Sequence, residues 1–306
     1  MELAALKADV DHLQRNFKVS ERHACELIGI AVSTYRHRPS QSDDQGVREK
    51  LVEIAREKPR YGYRRLLVEL RRAGFVINHK RLYRLYRELG LAVKRQRRKR
   101  LVRMPPQAAV LTAANQRWAL DFAHDGVEGG RAIRVLAVVD CYTRECLALE
   151  VDTSFPSKRL TRVLDKIIAE RGRPDSIICD NGPEMTSRHF VGWAGKCGVA
   201  IVRIEPGRPT QNGMVESFIG HLRDECLNTS WFRNLFDARR QIGAWRRMYN
   251  ESRPHSSLGY LTPSEFAANA ASTSSLLKNG LGRTESRQPF GRASRDLDSA
   301  RHYAVF

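Results

Sequence analysis

Long apolar runs are missing from this 306-residue chain, and none approaches the roughly 18 consecutive residues that a bilayer crossing needs. The opening MELAALKADVDHLQRNF is charged and has no apolar core of the kind that directs secretion. Cysteine is sparse: Cys25, Cys141, Cys146, Cys179, Cys197 and Cys226 form no CxxC pair and have no histidines at zinc-ligand spacing, so neither a zinc site nor a disulfide framework is indicated. The expectation is a reducing, cytoplasmic setting without a membrane. Phosphate-cradling glycine loops are absent too, since neither GxGxxG nor GxxxxGK[ST] occurs, and the chain has no internal repeat.

Acidic charge is what the front of the chain most lacks. Residues 41–105 carry 20 Lys and Arg against 7 Asp and Glu, a net of +13, whereas residues 117–266 carry 21 against 19, a net of +2. Charge for solubility alone would not be concentrated in this way. A basic module ahead of a nearly neutral one suits a protein whose front grips phosphates and whose back collects metal cations.

The pattern along the chain divides it further. Leu3, Leu6, Val10 and Leu13 recur at spacings of three and four, predicting an amphipathic helix. In VSERHACELIGIAVSTYRHR, Ser20 is expected to cap a helix, Gly29 to turn the chain and Ser33 to cap a second helix. Residues 1–40 therefore read as a helix-turn-helix outline, although a generic helical pair gives the same spacing. Residues 47–100 read as a helix-turn-helix DNA-binding module of three short helices. Its last helix, capped by Asn78 and stopped by Gly90, sets Lys80, Arg81, Arg84 and Arg87 apart from Leu82, Leu85 and Leu89 and leads into KRQRRKR at 94–100, which favours nucleic-acid contact over a merely solvated face. Residues 101–116 read as a linker. Residues 117–266 read as a catalytic module in the order βββαβαβαα, a mixed sheet between helices, with the apolar runs at 176–179 and 199–202 expected as parallel strands buried on both faces. From Ala267 to Phe306 the composition suggests a poorly ordered tail.

Three carboxylates carry the chemistry. Asp121 stands in the apolar strand RWALDF, where its charge is costly without a cation or donors. Asp180 ends another apolar strand and enters the turn Asn181-Gly182-Pro183, at the strand edge where α/β sheets place ligands. Glu216, 36 positions on, falls in the first turn of a helix beginning near Asn212 and Gly213, with Arg223 two turns later on the same face. Each has an ordinary explanation when taken singly: an edge residue, a turn former, a dipole-favoured surface acid. Together they are the oxygen donors that two divalent ions on a phosphodiester need, at about 3.5–4 Å separation.

Asp121, Asp180 and Glu216, with PGRPTQNGMVESFIGHLRDECLN and YNESRPHSSLGYLTPSEF, resemble the DDE triad and flanks of insertion-sequence transposases and retroviral integrases. PRYGYRRL and NHKRLYRLYRELGL are similar to the helix-turn-helix region of the second-reading-frame transposases of one large insertion-sequence family. The resemblance covers roughly residues 15–266. It implies a ribonuclease-H-like integrase core behind an all-α helix-turn-helix region, using Mg2+ or Mn2+, two ions in all, on Asp121, Asp180 and Glu216. Asn181, Gly182, Asn212 and Arg223 would be supporting positions. The implied reaction is strand cleavage at the element ends followed by strand transfer to target DNA, on the bacterial nucleoid, in a homo-oligomeric synaptic complex and together with the upstream-reading-frame product of the same element. The His/His/Cys/Cys zinc module of retroviral integrases has no counterpart here. His255, beside Pro254, reads as an exposed histidine of a Pro-rich loop, structural or phosphate-touching, and stays outside the catalytic set. Rival readings are a DNA-binding regulator with an inert core and a nonspecific nuclease of the same fold.

Overall fold

The computed structural model describes residues 3–37, 44–93, 110–204 and 212–280, with side chains through Ser272. The basic run at 94–100, most of the segment expected as a linker, residues 205–211 and residues 281–306 lie outside the described residues. The chain divides into two compact units, one of residues 1–59 and 69–92, the other of residues 60–68 and 93–306. No helix among the described residues is long and apolar enough to cross a membrane.

The first unit is helical. Helix α1 (Leu3–Phe17) packs on α2 (Glu21–Ile28) and α3 (Val32–Arg36) around buried Val10, Ala24, Cys25 and Ile30. Ser20 caps α2 by accepting the His23 N–H, and Gly29 closes it at φ +74°, a left-handed conformation that glycine adopts without strain. The expected cap at Ser33 is not formed. The residue ahead of α3 is Ala31, and Ser33 lies inside a five-residue helix whose first N–H groups receive no side-chain cap. Helices α4 (Gln45–Glu57) and α6 (His79–Glu88) bury Leu51, Ile54, Leu82, Leu85 and Tyr86, and Asn78 caps α6 by accepting the Lys80 N–H. In sequence α5 (Tyr63–Arg72) comes between these two helices, and its residues 63–68 belong to the second unit.

The second unit is built on a five-stranded sheet in the order β3-β2-β1-β4-β5. Strands β1 (Arg117–Gly126), β2 (Ala132–Asp140) and β3 (Cys146–Asp152) form an antiparallel meander, and β4 (Ser176–Cys179) and β5 (Ala200–Arg203) run parallel to β1. The period-2 alternation of β1 sends Trp118 and Leu120 to one face, against α7 (Ser157–Arg171) and α9 (Arg188–Cys197), which follows the one-turn helix α8 (Pro183–Thr186). Ala119 and Ala123 go to the other, against α10 (Gly213–Glu225) and α11 (Leu235–Glu251). The small residues at 119, 123 and 137 let α10 approach the sheet where Asp121 emerges.

Strand β3 carries a bulge between the partners of Val138 and Val139, and its edge is covered by α11. Arg239 donates to the Val151 carbonyl, Arg246 to the Cys146 and Leu147 carbonyls, and Asn250 both accepts from Cys146 N–H and donates to its carbonyl. Spacings of seven and four place these three residues on one helix face.

Two expectations are corrected. The run at 199–202 is not a strand buried on both faces: β5 is an edge strand, with Ala200 and Arg203 exposed and Ile201 and Val202 half-buried. The composition change at Ala267 does not end the fold either, because α12 (Pro263–Gly280) runs through it. Alanine in AANAAS favours the helix intrinsically, and Thr262 and Glu265 exchange hydrogen bonds at its start in a capping box.

Candidate active site

Strand register brings the two aspartates level. In the β1–β4 ladder Trp118 faces Ile177 and Ala119 faces Ile178, so two residues further along each chain Asp121 and Asp180 reach the same height at the C-terminal side of neighbouring parallel strands. Helix α10 supplies the third carboxylate by packing Val215, Phe218 and Leu222 on the same sheet face, with Glu216 in its first turn. Asn212 pins the start of that helix: its amide donates to the Leu120 carbonyl at 3.4 Å, one residue from Asp121.

Electrostatics join the three groups. The Asp121 carboxyl is held up at about 6 by burial first of all; the Phe122 N–H, donating at 2.7 Å, works against that, and the charges of Asp180 and Glu216 raise it further while Arg223 lowers it. Asp180 accepts the Gly182 N–H at 3.1 Å, and a Cβ added at Gly182 would stand 3.1 Å from the same oxygen. Glycine thus leaves room around that carboxylate. Asn181 ties the turn to the end of β5 by donating to the Ile204 carbonyl at 3.1 Å.

The donor set suits a hard divalent cation: Asp121 with two further carboxylates whose charges raise its proton affinity, and a buried Asn212 Oδ1 with no donor among the described residues. The three acids stand within electrostatic reach, yet among the described residues no three His, Cys, Asp or Glu side chains are gathered tightly enough to cage an ion as they are.

Glu184 is a neighbour that the sequence did not flag. It accepts from Arg134, whose guanidinium lies 4.2 Å from the Phe122 ring centroid. Burial raises the Glu184 pKa, and the Arg134 hydrogen bond, a backbone N–H and the Arg134 and His124 charges together outweigh it, leaving the carboxyl below its ordinary range. This pairing keeps a fourth negative charge beside the Asp180 turn neutralised. The Pro183 start of α8 was the available signal.

On α6 the predicted basic residues divide. Arg81 and Arg84 are drawn to Asp44, and Arg84 also reaches Glu88 at 3.5 Å. Lys80 and Arg87 are exposed, with no ion pair among the described residues.

Comparison with known proteins places these features in a lineage. Residues 112–209 and 197–263 match integrase core domain models, and residues 41–100 match a model of an HTH-like domain. The chain is 44% identical over 264 residues to the insertion element IS407 uncharacterized 31.7 kDa protein of Burkholderia multivorans, a match covering 85% of this chain and 95% of that one. The chain belongs to the integrase-core transposases of insertion elements. Within this family it is also 28% identical over 160 residues to the transposase InsD for insertion element IS2A/D/F/H/I/K of Escherichia coli, covering 50% of this chain and 53% of the relative. Among solved structures, it is similar to the HTLV-2 integrase catalytic core domain in complex with magnesium, at a TM-score of 0.40 and 17% identity over 51% of this chain and 97% of that one. The mixed sheet of this transposase is the integrase core of ribonuclease-H-like class, preceded by an HTH-like helical region.

Proposed function

We propose that this transposase cuts DNA strands at the ends of its insertion element and joins them to target DNA by metal-dependent phosphoryl displacement at Asp121, Asp180 and Glu216. The observation that carries the reading is the coupling of the three carboxylates: Asp121 feels both of the others, and all three come from elements fixed by the sheet register and by the packing of α10. Asp121, Asp180 and Glu216 would hold Mg2+ or Mn2+, which would supply charge neutralisation for the attacking and leaving oxygens of an in-line displacement. The chain's own part is to position: Asn212 fixes the height of Glu216 against β1, Gly182 keeps Asp180 clear, and Arg223 can meet a backbone phosphate from the same helix face as Glu216. Cleavage and strand transfer are then the same displacement with water or a DNA 3′-hydroxyl as attacker. Lys80 and Arg87 on α6 add charge-based grip on the duplex. The active form is proposed to be a homo-oligomer holding both element ends and target, with the upstream-reading-frame product of the element as partner.

The test incubates the purified chain, with and without the upstream product, with labelled terminal-repeat DNA and Mg2+. Metal-dependent nicking that is lost in Asp180→Asn and Glu216→Gln, with DNA binding retained, supports the reading. Binding without strand cleavage under every condition would leave the chain a DNA-binding regulator with an inert core.

A further inference from the structure

A cleft of about 390 Å³ lies beside α10, on a face of the helix different from the one that bears Glu216 and Arg223. Met214, Ser217 and His221 line it from α10, Arg144 from the β2–β3 turn, Tyr249 from α11, and Arg253 and His255 from the segment after α11. At about 100° per residue, the Met214–Ser217–His221 face is rotated well over a quarter turn from the Glu216–Arg223 face.

The cleft has more cation than its carboxylates balance. Arg253 is fully buried and grips Glu225 through Nε (2.8 Å) and Nη2 (2.7 Å), while Arg65 approaches the same carboxylate at 3.5 Å. Glu145, next to Arg144 in sequence, is taken by Arg171. Arg144 is left with the Met214 thioether sulfur as its side-chain partner, and its buried Nε has none among the described residues. A thioether is a weak acceptor for a guanidinium, and leaving such a donor buried and unpaired costs free energy. The backbone at Arg144 is also left-handed, at φ +64°, an uncommon state for a residue with a side chain and one that recurs at functional sites. The positive field registers on both imidazoles: burial and then the Arg253 charge hold His221 at about 4 and His255 far below the usual imidazole range. His255 is therefore not the exposed loop histidine expected from sequence; it is buried, edge-on to the Tyr249 ring at 4.8 Å, and 3.4 Å from Arg253 Nη1.

We propose that this cleft is a phosphate-binding site separate from the acidic cluster, with Arg144 as the principal ligand and the hydroxyls of Ser217, Ser256 and Ser257 around it. A tetrahedral oxyanion would supply the acceptors that Arg144 lacks, and the planar guanidinium can engage two of its oxygens at once. The phosphate could be a DNA backbone diester or that of a free nucleotide, which share this chemistry.

The test uses the full chain without divalent cation, so that it is independent of the triad. Inorganic phosphate binding is measured by calorimetry, and binding of a labelled random-sequence duplex by fluorescence anisotropy across a salt series, for the wild type, Arg144→Gln and Arg144→Lys. Expected is saturable phosphate binding that weakens about 10-fold or more in Arg144→Gln and is partly rescued in Arg144→Lys. If the diester is the ligand, Arg144→Gln also weakens duplex binding and lowers the salt slope by about one. If a free nucleotide is the ligand, the duplex curve is unchanged while phosphate and nucleoside monophosphate both lose affinity. Where Arg144→Gln fails to fold, the ring resonances of His221 and His255 in the wild type are followed during phosphate titration, and a saturable shift is expected. Absence of saturable phosphate binding to the wild type, or equal affinity in folded Arg144→Gln, overturns the proposal.

Discussion

Replacing Asp121 by asparagine should stabilise this transposase when divalent cations are chelated. The Asp121 carboxyl ionises at about 6 in the folded chain against an ordinary 3.8. A group whose folded pKa is raised contributes stability that is fully present below the unfolded value and is lost as pH rises through the folded one. Above pH 6, then, the folded chain carries a carboxylate it would rather protonate. A gap of about two pH units corresponds to about 3 kcal/mol at neutral pH, and partial solvent access reduces this to about 1–2 kcal/mol. Asparagine keeps the size and an acceptor for the Phe122 N–H while removing the charge that Asp180 and Glu216 oppose. For a domain of this size, Tm should rise by roughly 2–8 °C at pH 7.5 in EDTA, and the difference should vanish near pH 4. Added Mg2+ should raise the wild-type Tm and leave Asp121→Asn almost unmoved. Differential scanning calorimetry of both proteins, with and without the metal, measures all of this. An unchanged or lower Tm for Asp121→Asn in EDTA would refute the claim that burial and the neighbouring acids make the Asp121 charge unfavourable in the folded chain.

Gly182→Ala sets a methyl 3.1 Å from an Asp180 oxygen and should reduce nicking of terminal-repeat DNA by about 10-fold or more while leaving duplex binding intact; unaltered nicking would mean that the turn has slack. Arg253→Ala leaves the Glu225 charge with only the longer Arg65 contact and should cost about 3–5 kcal/mol in urea unfolding, whereas a cost below about 1 kcal/mol would show that Arg65 or water suffices for Glu225. His221 contributes an acid-sensitive share of stability: unfolded chains take up its proton below about pH 6.5 and the folded chain only near 4, so its contribution falls as pH drops between those values, by up to about 3 kcal/mol, against the opposite contribution of Asp121. His221→Gln should flatten that part of the pH profile in chemical unfolding, and an unchanged slope would remove His221 as the source.

The elements that carry Asp121, Asp180 and Glu216 were legible because they depend on short-range rules. Strand periodicity fixes the faces of Asp121 and Asp180, and the Asn212–Gly213 start of a helix fixes the turn in which Glu216 falls. The caps at Ser20 and Asn78 were equally local. At AANAAS a local signal was passed over, since the alanines and the Thr262–Glu265 capping box both favour the helix. What otherwise failed depended on neighbours distant in sequence: whether β5 is covered on both sides. The arginine cleft was invisible for the same reason, since Arg144, His221 and Arg253 become neighbours only through tertiary packing. The Arg-Pro-His cluster at 253–255 hinted at it, but an apparently exposed loop gave no reason to expect burial.

The cover that α11 lays on β3 has a consequence for the life of a partial chain. Arg239, Arg246 and Asn250 satisfy backbone groups that another strand would otherwise satisfy, so the helix behaves as a sixth strand made of side chains. Remove it, as in a product ended at Asn234, and the bulged edge of β3 is left as a ready template for the same edge of a second molecule, beside the apolar face that Ile242 and Trp245 had covered. Such a fragment should form larger, open-ended aggregates in light scattering than the full chain does, which makes premature termination within the element a route to insoluble protein as well as to loss of activity.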